Sequence, residues 1–111
     1  MPAQTVNESW IVKCGDQVIQ KKAQNGPNSL TDWERLVYCL WVADYMMCNA
    51  GDFANAADLY HGFQTDAKQL AKRLSLPKTY DTFALSRKKL QAEYFKRFEA
   101  ICDEIKQAGN R

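Results

Sequence analysis

Residues 31 to 51 constrain the fold more than any other stretch. They open on Thr-Asp-Trp-Glu, run through RLVYCLWVADYMMCNA and close on Gly51. The opening is a capping box: the Thr31 hydroxyl is available to the Glu34 amide, and the Glu34 carboxylate can reach back to the amide of Thr31. Gly51 suits a left-handed C-cap. The spacing therefore predicts a helix from Thr31 to about Asn49. Projected at 100° per residue, Trp33, Leu36, Val37, Leu40, Met47 and Cys48 cluster on one side, and Asp44 falls near the middle of that cluster. The other side holds Glu34, Arg35, Tyr38, Tyr45 and Asn49, mixed with Val42 and Met46. A helix apolar on more than one side is either wrapped by neighbours or leaves a patch exposed as an interface. Tyr38, Tyr45 and Met46 are of the types enriched at interfaces.

Asp44 is the discordant residue of this helix. A bare buried carboxylate costs several kcal/mol, so it needs donors or a cation. Arg87, His61 and the free amides of a helix N-terminus are the candidate partners. The favoured reading is a buried polar anchor that sets helix register. A binding role comes second and catalysis last, because no second acid, base or nucleophile stands near Asp44 in the sequence.

The rest of the chain carries helical punctuation and no period-2 alternation, so no strand is expected. A first helix runs from after Asn7 to about Gln24, with Trp10, Cys14, Val18 and Ile11 on its apolar side. Gly15 weakens that helix by about 1 kcal/mol relative to Ala. Asn25-Gly26-Pro27 ends it. Asp52 caps a short helix over FANAADLYH. Thr65 caps another over DAKQLAKRLS, which Pro77 closes. The last helix starts at Ser86, with Leu85 and Leu90 as a hydrophobic staple, and ends at Gly109. Its Leu90, Tyr94, Phe95, Phe98, Ile101, Cys102 and Ile105 fall within an arc of about 140°. These elements predict an all-α protein, a compact bundle of about five helices, with helices 2 and 5 packed at its centre. At 111 residues the chain is one domain, with residues 1–7 and 110–111 frayed.

Composition narrows the function. No stretch approaches the run of about 20 apolar residues that a membrane span needs. The first ten residues carry no secretory pattern. Cys14, Cys39, Cys48 and Cys102 sit in apolar helical contexts and read as reduced core thiols of a cytoplasmic protein, although the sequence leaves a disulfide open. A metal site lacks its ligands: His61 is the only histidine, and no Cys-x-x-Cys spacing exists. No phosphate-binding glycine loop is present. No cofactor is expected.

Charge is uneven. Residues 1–64 carry four Lys/Arg against seven Asp/Glu, a net −3, and residues 65–111 carry eleven against six, a net +5. Residues 68–97 hold nine basic side chains, including Arg87, Lys88, Lys89, Lys96 and Arg97, against Asp81 and Glu93. Such a stretch can neutralise phosphates. Lys89, Glu93 and Arg97 are also spaced for i,i+4 pairs on a solvated face.

The segment WERLVYCLWVADYMMCNAGDF resembles the core motif of a family of small helical bacterial proteins of unknown function that includes DNA-mimic members. Glu34, Tyr38, Trp41, Asp44, Asn49, Gly51 and Phe53 carry the resemblance. The chain departs from the pattern at NAGDF, where one glycine is replaced and the Phe is shifted by one. The resemblance implies a helical, protein-binding or immunity-type role. DNA mimicry itself needs a dense acidic surface, which a net charge of +2 does not supply. The expected function is a non-enzymatic protein-binding module, monomeric or homodimeric, acting as a regulator, inhibitor or immunity factor. Asp44, Tyr38, Tyr45, Met46 and the basic residues Arg87, Lys88, Lys89, Lys96 and Arg97 are its candidate binding residues. The alternative is a basic helical nucleic-acid binder.

Overall fold

The structure, a computed structural model, describes residues 6–54 and 60–109. These form α1 (Val6–Asn25), a short 3-10 turn (Pro27–Ser29), α2 (Asp32–Ala50), α3 (Phe63–Arg73), α4 (Pro77–Phe83) and α5 (Arg87–Gly109). The fold is all-α, and its radius of gyration of 13.1 Å is that of a compact chain of this length.

The capping box forms as the sequence predicts: the Glu34 amide donates to Thr31 Oγ1 at 3.1 Å, and the Thr31 amide to Glu34 Oε1 at 2.9 Å. At the other end Gly51 takes φ 74°, a backbone that only glycine adopts without strain, and its amide bonds the Met47 carbonyl. The resulting helix is wrapped on nearly all sides. It packs against α1, α3 and α5, most extensively against α3. Its Leu36, Val37, Cys39, Leu40, Val42, Ala43, Met46 and Met47 are all buried. Met46, expected at an exposed interface, is only 2% exposed, because α2 is covered on that side as well.

α1 lies antiparallel to α2. Lys21 pairs with Glu34 at 2.8 Å near one end, and Glu8 shares a cleft with Asp44 and Cys48 near the other. Between them the indole of Trp41 lies against Gly15. A Cβ on Gly15 would sit 2.3 Å from Trp41 Cδ1. This contact rolls α1 away from its expected face: Asn7, Ile11, Gly15 and Val18 are buried, while Trp10 and Cys14 are half-buried. Nor does the helix fray through residue 7. Asn7 is buried inside α1; its amide donates to the Glu99 carbonyl at 3.5 Å, to the Glu99 carboxylate and to Asp103 Oδ1 at 3.2 Å, and its carbonyl accepts from Lys106.

α5 presents Leu90, Tyr94, Phe98, Ile101, Cys102 and Ile105 to the core, and Ser86 Oγ accepts from the Lys89 amide at 3.2 Å as an N-cap should. Phe95, expected in the same stripe, is 56% exposed at its edge. The helix expected over residues 53–61 falls mostly on 55–59, outside the described residues. Phe53 and Ala54 lie in a bend and a turn, where Asp52 Oδ1 accepts from the Ala54 amide at 3.0 Å. The following helix starts at Phe63, so Thr65 is inside it rather than its cap.

α4 was not expected, since Pro77 reads as the end of α3. In fact α3 ends at Arg73 through a Schellman motif, with the Leu76 amide bonded to the Ala71 carbonyl at 2.9 Å and the Ser75 amide to the Lys72 carbonyl at 3.2 Å. Ser75 takes the left-handed position, φ 60°. Pro77 then opens α4 at N1, where a missing N–H costs nothing. The free amides of α4 are met from α5: Glu104 accepts from the Lys78 amide at 3.0 Å, the Thr79 amide at 2.7 Å and Thr79 Oγ1 at 2.8 Å.

Two substitutions test this packing by urea denaturation. Glu104→Ala removes the cap of α4 and is expected to cost about 1–2 kcal/mol. Gly15→Ala gains about 1 kcal/mol of helix propensity, yet the clash with Trp41 makes it destabilising overall, by about 1–3 kcal/mol. A G15A protein as stable as the parent would mean that the indole does not rest there.

Candidate functional site

Asp44 sits one turn before Cys48 on α2 and faces α5 and α1. It is 8% exposed. Its Oδ1 accepts from the Tyr94 hydroxyl at 3.0 Å, and its Oδ2 takes a weak bond from Cys48 Sγ at 3.7 Å. Of the partners expected from sequence, none is used. Arg87 is exposed at the start of α5, where its Nε donates to Gln64 Oε1 at 2.7 Å and its guanidinium covers the rings of Phe63 and Phe53 at 5.0 and 5.8 Å. His61 is exposed in the turn before α3. The donor to Asp44 is Tyr94, a residue that reads in sequence only as part of the apolar stripe of α5.

The electrostatics follow from this setting. Burial pushes the Asp44 carboxyl up from its ordinary 3.8; the bonds from Tyr94 and Cys48 pull it down, and the Glu8 charge pushes it up again. Burial and the facing carboxylate push the Tyr94 phenol well above its ordinary range, so it remains a proton donor. The Cys48 thiol is pushed up to about 11, first by burial and then by Asp44.

Asp44 opens onto a cleft of about 180 Å³ between α1 and α2, also lined by Glu8, Val12, Trp41, Tyr45, Cys48 and Asn49. Trp41 and Tyr45, one turn apart, stack at 5.4 Å between ring centroids. Tyr45 is 47% exposed and Val12 43% exposed. The rim of the cleft is thus largely apolar and aromatic, and two carboxyls, Asp44 and Glu8, and the neutral Cys48 thiol also line it. A thiol held protonated is a poor nucleophile, and His61 does not line the cleft. Among the described residues no three His, Cys, Asp or Glu side chains are placed to hold a metal ion.

The remaining candidates are scattered. Tyr38 lies toward the other end of α2, half-buried, with Lys22 over its ring at 4.5 Å. Lys88, Lys89 and Lys96 are exposed on α5, and Arg97 pairs with Glu93 at 2.9 Å. Other basic side chains of residues 68–97 are also occupied: Arg73 pairs with Asp32 at 3.2 Å, and Lys68 lies over Tyr80 at 5.8 Å. Of the four cysteines, Cys39 and Cys102 are buried as expected, Cys14 is half-buried and Cys48 is exposed; all four are free thiols. No described helix is long and apolar enough to cross a membrane. Compared with protein-family models, curated proteins and solved structures, the chain matches none.

The Asp44–Tyr94 pair gives a pH-dependent prediction. With the folded pKa raised above 3.8, the native state holds the Asp44 proton over a window in which the unfolded chain has released it. The carboxyl's contribution is therefore largest below pH 3.8 and declines as pH rises through the raised value. Asp44→Ala strips the buried Tyr94 hydroxyl of its acceptor and is expected to cost about 1–3 kcal/mol. Asp44→Asn keeps an acceptor and has no charge to bury. It should cost less than the alanine change, and its stability relative to the parent should improve from pH 3 upward until Asp44 is ionised. Urea denaturation across pH 3–7 measures both; parallel curves for parent and D44N would contradict the raised pKa.

Proposed function

We propose that the chain is a non-enzymatic protein-binding module acting in the cytoplasm as a monomer or homodimer, in the manner of small bacterial regulators, inhibitors and immunity factors. One observation carries the reading: the stacked Trp41–Tyr45 pair, with Tyr45 half exposed and Val12 beside it, forms an apolar rim around the cleft that ends on Asp44. A rigid aromatic side chain over a narrow recess is the kind of feature on which interface energy concentrates. Within the cleft, Glu8 and Asp44 favour a partner side chain that donates hydrogen bonds. An enzymatic reading is weaker, because the thiol in the cleft is pushed up to about 11 and is a poor nucleophile.

The alternative is a basic helical nucleic-acid binder. Exposed Lys88, Lys89 and Lys96 support it, while the pairing of Arg97 and Arg73 with carboxylates weakens it. Tyr45→Ala should weaken a purified 1:1 protein complex by about 2 kcal/mol, roughly thirtyfold in Kd. Charge reversal at Lys88, Lys89, Lys96 and Arg97 should leave that complex intact. Salt-dependent retention on DNA or RNA, abolished by the charge reversal and indifferent to Y45A, would select the alternative instead.

A further inference from the structure

At the opposite end of the α1–α2 pair lies a second recess of about 400 Å³, lined by Lys22, Pro27, Asn28, Leu30, Arg35, Tyr38 and Tyr60. Its volume is within the range of small-molecule sites, roughly 300–1,000 Å³. Among the described residues that line it, two are cations and none is an acid. The nearby described carboxylates are already bonded: Glu34 holds Lys21 at 2.8 Å and the Thr31 amide at 2.9 Å, and Asp66 accepts from the hydroxyl of Tyr60 in the recess wall.

Arg35 is the informative residue. It is half-buried, and although its amide bonds the Thr31 carbonyl, its side chain makes neither a hydrogen bond nor an ion pair among the described residues. A guanidinium has five donors in a fixed fork, and taking it partly out of water without an acceptor is costly. Its field reaches the Tyr60 phenol: burial, then the bond to Asp66, push that phenol up, and Arg35 pulls it back. Lys22 Nζ is 3.4 Å from the Tyr38 hydroxyl and has no carboxylate partner among the described residues. The remaining wall combines aromatic rings with polar groups, the Asn28 amide and the Tyr38 and Tyr60 hydroxyls. The Tyr38 and Tyr60 rings lie 5.5 Å apart at 31°, with Pro27 and Leu30 beside them.

We propose that this recess binds a small organic phosphate, with the phosphate held by Arg35 and Lys22 and the organic part lying against the Tyr38 and Tyr60 rings. A phosphate offers the acceptor geometry that a guanidinium fork and an ammonium can share, and the Asn28 amide and Tyr38 hydroxyl are further donors. The aromatic wall distinguishes an ester from the bare ion. This site is separate from the Asp44 cleft and does not depend on its function.

The test is titration of the full chain with phenyl phosphate, inorganic phosphate and benzoate, followed by calorimetry and by the NMR signals of Arg35 and Asn28. Phenyl phosphate should saturate a single site and bind more tightly than either of the other two. Arg35→Gln and, separately, Lys22→Gln should each weaken it by about tenfold or more, the worth of one charge-assisted contact. Lys96→Gln, on the exposed face of α5, should leave it unchanged. Neither variant should lose the fold: R35Q removes a half-buried cation without an acceptor and should melt no lower than the parent, and K22Q loses only the Lys22 contacts with Tyr38. The proposal is overturned by a lack of saturation with phenyl phosphate, by undiminished binding to R35Q, by equal affinity for inorganic phosphate, or by equal affinity for benzoate.

Discussion

The fold depends on covering α2. A 19-residue helix with buried residues on almost every side cannot sit at a surface, because each exposed apolar Å² forfeits about 25 cal/mol. The other helices are arranged to meet that requirement. α1 returns antiparallel along one side, α3 closes another, and α5 supplies a third with its stripe of Leu90, Tyr94, Phe98 and Ile101. Leaving α2 with a single strip of outlet, near Tyr45 and Cys48, is what creates the cleft. The recess and the core are consequences of the same constraint.

Asp44 is tolerable in this setting because two effects oppose each other, with burial the larger. Burial favours the protonated form, while Tyr94 and Cys48 donate to the ionised one. A full salt bridge would have required a second buried charge with its own desolvation cost. Tyr94 instead contributes a ring to the core, edge-on to Phe53 at 6.2 Å, and one hydroxyl to the carboxyl. A phenol can serve the core and a polar atom together in this way. The pair joins the middle of α2 to the middle of α5, where a slip of either helix would leave both groups unsatisfied, which is the register role the sequence suggests for Asp44.

What was legible in the sequence is what local chemistry controls. The Thr31–Glu34 box, Gly51, the Ser86 cap and the stripe of α5 are all decided within a few residues, and the structure has them. What escaped is controlled from a distance. α4 has no cap of its own: Glu104, which reads as one more charge on a solvated face, reaches across to it from 25 positions away. Ser75 occupies a left-handed position usually marked by Gly, so the break between α3 and α4 is marked locally by Pro77, which reads as an end rather than a start. Gly15 reads as a weakness in α1, although its missing side chain is the space that Trp41 fills. Of the candidate residues, Asp44 and Tyr45, which the projection assigns to opposite sides of α2, line one cleft; Met46 is buried, which the projection does not show because burial of a helix on all sides has no periodic signature; and Arg87 meets Gln64 and two rings rather than Asp44.

The distribution of charge shows why counting along the chain misdirects the search for a site. By sequence the second half is the basic one, yet several of its cations are spent on helix faces, aromatic rings and caps: Arg73 on Asp32, Arg97 on Glu93, Arg87 on Phe63 and Gln64. Lys22 and Arg35 belong to the acidic half, and the fold brings them to one recess whose described lining holds no carboxylate. A ligand responds to the local field rather than to the net charge of a segment, and low-dielectric walls strengthen that field. The antiparallel α1–α2 pair therefore carries two polarities, with Glu8 and Asp44 at one end and Lys22 and Arg35 at the other. A chain of near-neutral total charge can in this way present one end to donors and the other to anions.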